Sequence, residues 1–280
     1  MPIHLIAIDI DGTLLNSRGE IPPENRRAVD DAVGAGLEVL LVTGRAFHHA
    51  RPIAEALSAQ VALIVSNGAL IKATGGVTLG SRLLDHCTAR TIIATTRSFR
   101  QGAAAIFDRT GGQQYLFENI DWQHPNRRGY YARNRQFMTE VSPLEDGLTG
   151  DPAQVAFTGG VDDMRRLAGF LRQQPVAEHV SIMLTEYDAR DFSLLDVTQK
   201  GCSKGSTLAR WCASRGIAAT DVMAVGDNLN DREMLEFAGV PVVMGNAVNA
   251  LKSCGWHLTG GHDNGGLAEA IRSLALSATA

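Results

Sequence analysis

Two aspartates, Asp9 and Asp11, stand two positions apart where the apolar run Leu5-Ile6-Ala7-Ile8 gives way to Gly12-Thr13. In a strand, residues i and i+2 point to the same side, so a chain that opens out after Asp9 lets both carboxylates converge on one small volume. Two buried anions repel each other and are stable together only with a proton or a cation beside them. The chemistry this fits is a magnesium site in which one carboxylate attacks and the other handles protons. A calcium loop is the competing reading, and it fails. Glu20 falls at the twelfth place counted from Asp9, but Leu14 stands where that loop requires glycine, and the preceding flank reads as strand.

Three further segments carry chemistry of the same kind. In Leu41-Val42-Thr43-Gly44-Arg45, a hydroxyl and a free backbone N–H at a strand's carboxyl edge make an oxyanion cradle. Thr43 also suits a helix N-cap, and the two roles are compatible. Lys204, in Gly201-Cys202-Ser203-Lys204-Gly205, offers a positive charge to balance a transferring phosphoryl group and keep Asp9 ionised, with Lys200 competing for that job. In Gly226-Asp227-Asn228-Leu229-Asn230-Asp231, clustered polar side chains after the strand Val222 to Val225 suit a hard, oxygen-loving ion that keeps waters. A turn with a cap is the plainer reading of that loop. All four segments fall at the carboxyl ends of expected parallel strands, where open α/β sheets bind ligands.

The elements that must position these residues alternate. Pro22-Pro23-Glu24 opens a helix with Ala28, Val29, Ala32 and Val33 on its apolar side, closed by Gly34 and Gly36. Leu37 to Val42 reads as a buried strand, Arg45 to about Leu57 as a helix, and Val61 to Val65 as a strand ending in Ser66-Asn67-Gly68. The pattern resumes with a strand over Phe192–Val197, a helix from Lys204 to Ser214 stopped by Gly216, and a strand over Val222–Val225. A helix from Asp231 to Phe237, a strand from Val240 to Met244 and a last helix from Gly266 follow. Strand and helix alternating through short loops predict a doubly wound, Rossmann-like parallel sheet covered on both faces.

Between these blocks the texture changes. From Arg82 to Arg190 the basic residues are all arginine apart from histidine, and Gly111-Gly112, Asn126 to Gly129 and Gly159-Gly160 break the stretch into shorter elements. This reads as an α+β domain inserted into the first, giving a core of residues 1–82 and 190–280 and an insert of 83–189.

Composition sets the outer limits. The chain has 280 residues, 45% of them hydrophobic and 20% charged, as in an ordinary globular protein. A net charge of −4 argues against a general nucleic-acid binder. Cys87, Cys202, Cys212 and Cys254 stand far apart, which reads as reduced thiols and a cytoplasmic location. No apolar run approaches the roughly 18 residues of a membrane span. Oligomeric state is not legible here.

Taken together, the motifs resemble those of the haloacid dehalogenase-like phosphohydrolases, and within them the Cof-type (class IIB) sugar-phosphate phosphatases. Asp9-Ile10-Asp11-Gly12-Thr13-Leu14 resembles the first family motif, Thr43-Gly44-Arg45 the second, Lys204-Gly205 the third and Gly226-Asp227 with Asn230-Asp231 the fourth. Ser66-Asn67-Gly68-Ala69 and Met244-Gly245-Asn246-Ala247 are further family-like text. The insert resembles the family only in place and size, where the larger C2-type cap is carried.

The resemblance implies roles. Asp9 is the expected nucleophile, forming an aspartyl-phosphate, and a Mg2+ ligand. Asp11 protonates the leaving oxygen and then activates water, while its backbone carbonyl ligates the metal. Ile10, Thr43, Gly44, Lys204 and Asn230 hold the phosphoryl group. Asp227 ligates the metal directly and Asp231 supports it indirectly. Asp11 also separates relatives: ion-pumping ATPases of the superfamily carry threonine there and keep a long-lived aspartyl-phosphate. In the insert, Arg127 and Arg128, amid Trp122, Tyr130, Tyr131, Arg133 and Arg135, are the candidates to meet substrate. The expected activity is hydrolysis of a small phosphorylated metabolite, a sugar phosphate first of all, without nucleic-acid or membrane partners. A phosphomutase of the phosphomannomutase type, which would need a bisphosphate, and a non-catalytic sugar-phosphate sensor are the alternatives.

Overall fold

The computed structural model describes residues 3–57, 60–99, 102–187 and 190–277. The chain divides into two compact units, Met1–Gly80 with Ser203–Ala280, and Ser81–Cys202.

The first unit is built on a central sheet. The apolar run at the start of the chain becomes strand β1 (Leu5–Asp9), buried along its whole length because parallel neighbours and helices cover it. Pro23 starts helix α1 (Pro23–Gly34), which buries Ala28, Val29 and Ala32; Gly36, at φ +88°, takes the left-handed turn into β2 (Glu38–Val42). Helix α2 (Phe47–Glu55) and β3 (Ala62–Val65) follow. Two strands not expected from sequence, β4 (Leu70–Ala73) and β5 (Thr78–Ser81), extend the edge, β4 running antiparallel to β3.

The second unit holds α3 (His86–Thr96), β6 (Ala103–Ile106), β7 (Tyr115–Glu118), α4 (Pro125–Asn134), β8 (Met138–Glu140), β9 (Gln154–Gly159), α5 (Val161–Arg172), β10 (Val180–Tyr187) and β11 (Phe192–Gln199). Its strands form one sheet in the order β10-β11-β9-β6-β7-β8, antiparallel except for the β7–β8 pair. Phe157, Leu167, Leu171 and Leu195 centre its core.

The chain then returns to the first unit with α6 (Lys204–Arg215), β12 (Val222–Gly226), α7 (Arg232–Phe237), β13 (Val240–Val243), α8 (Asn249–Lys252), β14 (His257–Leu258) and α9 (Gly266–Ala270). The completed sheet runs β14-β13-β12-β1-β2-β3-β4-β5. Pairing is parallel from β14 through to β3. Connections wind outward to one side from β1 through β3 and to the other from β12 through β14, so the topological switch lies between β1 and β12.

Three expectations are corrected. The strand expected over Phe192–Val197 is β11, which lies in the second unit's sheet between β10 and β9 and not in the parallel one; the second crossing between units therefore falls at Ser203, not at 190. An apolar run reveals a strand but not its partner. Here the partner is β10, the preceding strand, with Tyr187 opposite Phe192 as in a hairpin. Asn126 to Gly129 does not break the chain but lies inside α4, which Pro125 starts and whose Asn126 N–H is accepted by His124 Nδ1. Finally, α2 begins at Phe47 with Ala46 as its N-cap, two residues after the expected start and without Thr43 as cap.

Candidate active site

The parallel strands beside the switch point end together, and their last residues carry the polar groups. Asp9 closes β1, Thr43 follows β2, Ser66 and Asn67 follow β3, and Asp227 follows β12. Asp9, Asp227 and Asp231 bring carboxylate oxygens within 4.8 Å of one another, although more than two hundred positions separate the first from the others. Gly12 permits the approach. Its φ of +81° suits glycine, and a Cβ there would lie 2.2 Å from Asp227 Oδ2.

Lys204 is the cation at this cluster. Against the expectation, it does not follow a strand of the parallel sheet; it is the first residue of α6. A capping box sets that helix start, with Ser206 N–H donating to Ser203 Oγ at 3.0 Å and Ser203 N–H to Ser206 Oγ at 2.9 Å. From there Lys204 Nζ, 2% exposed, donates to Asp9 Oδ1 at 2.6 Å and to Asp231 Oδ1 at 2.7 Å. Lys200, exposed in the second unit, is not the residue that makes these bonds. The other oxygen of Asp231 accepts the backbone N–H groups of Asp227 and Asn228, each at 3.0 Å, and so shapes the fourth-motif loop.

Three clustered carboxylates against one ammonium leave an excess of negative charge. Burial, then repulsion from Asp231, pushes the Asp9 carboxyl up to about 8 in spite of Lys204. Burial, then Asp9 and Asp231, pushes Asp227 up to about 9. Lys204 shifts upward too, because the attraction of Asp231 and Asp9 outweighs its burial. Such a group of oxygens asks for a further positive charge, and an all-oxygen donor set fits a hard divalent cation.

Asp11 turns to a different partner. Arg45 grips it with both ends of its fork, Nε to Oδ2 at 2.7 Å and Nη2 to Oδ1 at 2.5 Å. Burial alone would raise the Asp11 carboxyl, but the bonds and charge of Arg45 outweigh it and hold the group below the usual carboxylate value.

The remaining predicted residues take varied places. Thr43 is buried, with its hydroxyl accepting Arg45 N–H at 3.1 Å. Gly44 lies against the Asn67 side chain, and Asn230 Nδ2 donates to Asn67 Oδ1 at 3.4 Å. Ile10 is buried directly after Asp9. In the second unit, Arg127 is tied to that unit's own sheet, Nε to Thr158 Oγ1 at 2.5 Å and Nη2 to Thr158 O at 2.9 Å, while Arg128 is exposed.

Sequence reasoning assigned no role to three residues that the site employs. Arg45 stands inside the second motif, and Asn67 and Asn246 stand in the family-like tracts Ser66–Ala69 and Met244–Ala247. Asn246 Nδ2 donates to Gly12 O at 2.9 Å and to Asp227 Oδ2 at 3.3 Å, while its Oδ1 accepts His262 N–H at 2.9 Å. It thus joins the first motif to the fourth. The signal available was an amide side chain at a further strand end of the same sheet.

Known proteins resemble this chain along most of its length. The profile of the haloacid dehalogenase-like hydrolases matches residues 6–271. Phosphatase YwpJ of Bacillus subtilis is 30% identical, with 97% of this chain and all of that protein covered. The pyridoxal phosphate phosphatase YbhA of Escherichia coli is 29% identical, over 90% of this chain and 92% of that one. A solved haloacid dehalogenase-like hydrolase from B. subtilis superposes with a TM-score of 0.83 at 25% identity, covering 97% of this chain and 100% of the other. No helix among the described residues is long and apolar enough to cross a membrane. The chain belongs to the haloacid dehalogenase-like hydrolase family.

Proposed function

We propose that this enzyme hydrolyses small phosphomonoesters, sugar phosphates foremost, in a Mg2+-dependent reaction through an aspartyl-phosphate on Asp9. The observation that carries the reading is the meeting of Asp9, Asp227 and Asp231 around less positive charge than they need. Asp9, Asp227 and the backbone carbonyl of Asp11 would hold the ion, with Asp231 supporting them. When bound, a divalent cation neutralises charge on the phosphoryl group and holds it in line.

The protein's own groups then divide the work. Asp9 Oδ attacks phosphorus as the bond to the leaving oxygen breaks, and Asp11 gives that oxygen its proton. Water next attacks phosphorus, Asp11 takes the water's proton, and inorganic phosphate departs as the Asp9 carboxylate is restored. The first step requires Asp11 as the acid, so the Arg45 fork has to release it; the second uses the carboxylate that the fork favours. Lys204, Thr43, Asn230 and the backbone at Ile10 and Gly44 steady the phosphoryl oxygens, which is most of what phosphoryl transfer asks of a protein. A relative acting on pyridoxal phosphate supports a small phosphorylated metabolite as substrate and widens the panel beyond sugars.

Phosphate release from p-nitrophenyl phosphate, with Mg2+ and with EDTA, tests the reading, followed by a panel of sugar phosphates and pyridoxal phosphate. Turnover should require the metal and vanish in Asp9→Asn. Activity that survives in Asp9→Asn would remove the nucleophile assignment.

A further inference from the structure

The turn that closes β3 is strained, and the fold alone gives no reason for it. Ser66 and Asn67 both have φ of +51°, and Gly68 has +98°. Two consecutive non-glycine residues in the left-handed region are uncommon, although asparagine tolerates it better than most. The turn is wholly buried, and the Ser66 hydroxyl has no hydrogen-bond partner among the described residues. Strain of this kind persists where surrounding structure imposes it, and it gathers at functional sites.

What the turn touches explains the constraint. Asn67 N–H donates to Thr43 O at 3.2 Å and Ser66 N–H to Arg45 O at 2.8 Å, so the two bonds bracket Gly44. The Asn67 side chain lies against Gly44 so closely that a Cβ on that glycine would be 2.9 Å from Asn67 Oδ1. The same Oδ1 accepts Asn230 Nδ2 at 3.4 Å. Gly68 completes the link: Thr207 Oγ1, on the first turn of α6, donates to its carbonyl at 2.8 Å, and a Cβ on Gly68 would be 2.2 Å from Ser203 O. The turn therefore holds together the loop with Thr43 and Gly44, the loop with Asn230, and the helix start with Lys204.

We propose that Asn67 is a positioning residue for the phosphoryl group: its carboxamide, held out by the left-handed backbone, fixes Asn230 and Gly44 at the spacing that one phosphate needs. The inference rests on the phosphatase reading above and adds to it a residue with no role there. A tetrahedral dianion is recognised by donors on several sides at once, so the three loops must keep fixed separations.

Asn67→Gly and Asn67→Asp test this. Glycine adopts the left-handed backbone freely and removes the side chain. Aspartate keeps the shape and tolerates the backbone, but brings negative charge toward the phosphoryl site. With Mg2+ present, the inhibition constant for inorganic phosphate and the KM for a phosphomonoester should rise together, about tenfold in Asn67→Gly, the upper scale of a hydrogen bond between neutral groups. The rise should be larger in Asn67→Asp, and kcat should fall less than KM rises in both. A structural role alone would lower Tm and leave the inhibition constant unchanged. If Asn67→Gly does not fold, Asn67→Asp decides. Phosphate inhibition and KM within twofold of the natural enzyme in a folded variant overturn the proposal. Failure of the natural enzyme to release phosphate would instead sink the phosphatase reading.

Discussion

Asp227→Asn should stabilise the metal-free protein while ending its turnover. The carboxyl of Asp227 is raised from the ordinary 3.8 to about 9, by burial first and then by Asp9 and Asp231. Between those two values the native state holds a proton that the unfolded chain has released, so stability falls as pH rises through this window. At pH 7 the gap from 3.8 limits the penalty to about 4 kcal/mol, at ~1.4 kcal/mol per unit. Asp9 shares the same repulsion and relaxes part of it, and asparagine also changes the contact with Asn246, so the expected gain is about 1–3 kcal/mol. For a unit of this size that is several degrees in Tm. Urea unfolding in EDTA at pH 7 and at pH 5 measures it. The gain should shrink at pH 5, where the same limit is about 2 kcal/mol. With Mg2+ the order should invert, because mass action stabilises only the protein that binds the ion. A variant weaker than the natural protein in EDTA at pH 7, or a difference indifferent to pH, would refute the reasoning.

Asp11→Asn should keep the phosphoryl-binding groups and lose the base for the second step, so turnover slows and phosphoenzyme accumulates; intact-protein mass spectrometry after mixing with substrate would show it, and unchanged turnover would contradict the role. In the second unit, buried Glu118 accepts Leu144 N–H at 3.0 Å and Ser142 Oγ at 2.8 Å and pairs with Arg97 at 3.3 Å. These bonds outweigh its burial and depress its carboxyl below the ordinary 4.5. Its contribution is therefore complete above that value and is lost as pH falls through the lower folded one. Glu118→Gln should cost this unit about 1–3 kcal/mol at pH 7 and progressively less as the solution is acidified, read by denaturant unfolding.

Several residues of the candidate site were legible before the fold because they are residue types at strand ends. An apolar run closing in Asp9-x-Asp11-Gly12, or in Gly226-Asp227, is a local statement, and a buried parallel strand can be recognised from its own residues. Helix signals were similarly local: Pro23 starts α1, and Gly216, at φ +68°, ends α6. Partners were not legible. The segment Phe192–Val197 looked like one more strand of the parallel sheet, and only pairing with Val180–Tyr187 assigns it to the other one. Nor does any local pattern tell that Lys204, and not Lys200, is the lysine that meets Asp9.

The sequence by itself determined that two acids close the first strand, that alternating elements place further polar loops at strand ends, and that a compositionally distinct stretch interrupts them. Only the tertiary structure decided that Asp9 and Asp231 share Lys204, that Arg45 takes the side chain of Asp11, and that Asn67 bends backward to join two loops. Periodicity and turn chemistry are properties of neighbours along the chain. Charge pairing and wedging depend on distances between segments far apart in it, and those distances exist only once the sheet has closed its order around β1.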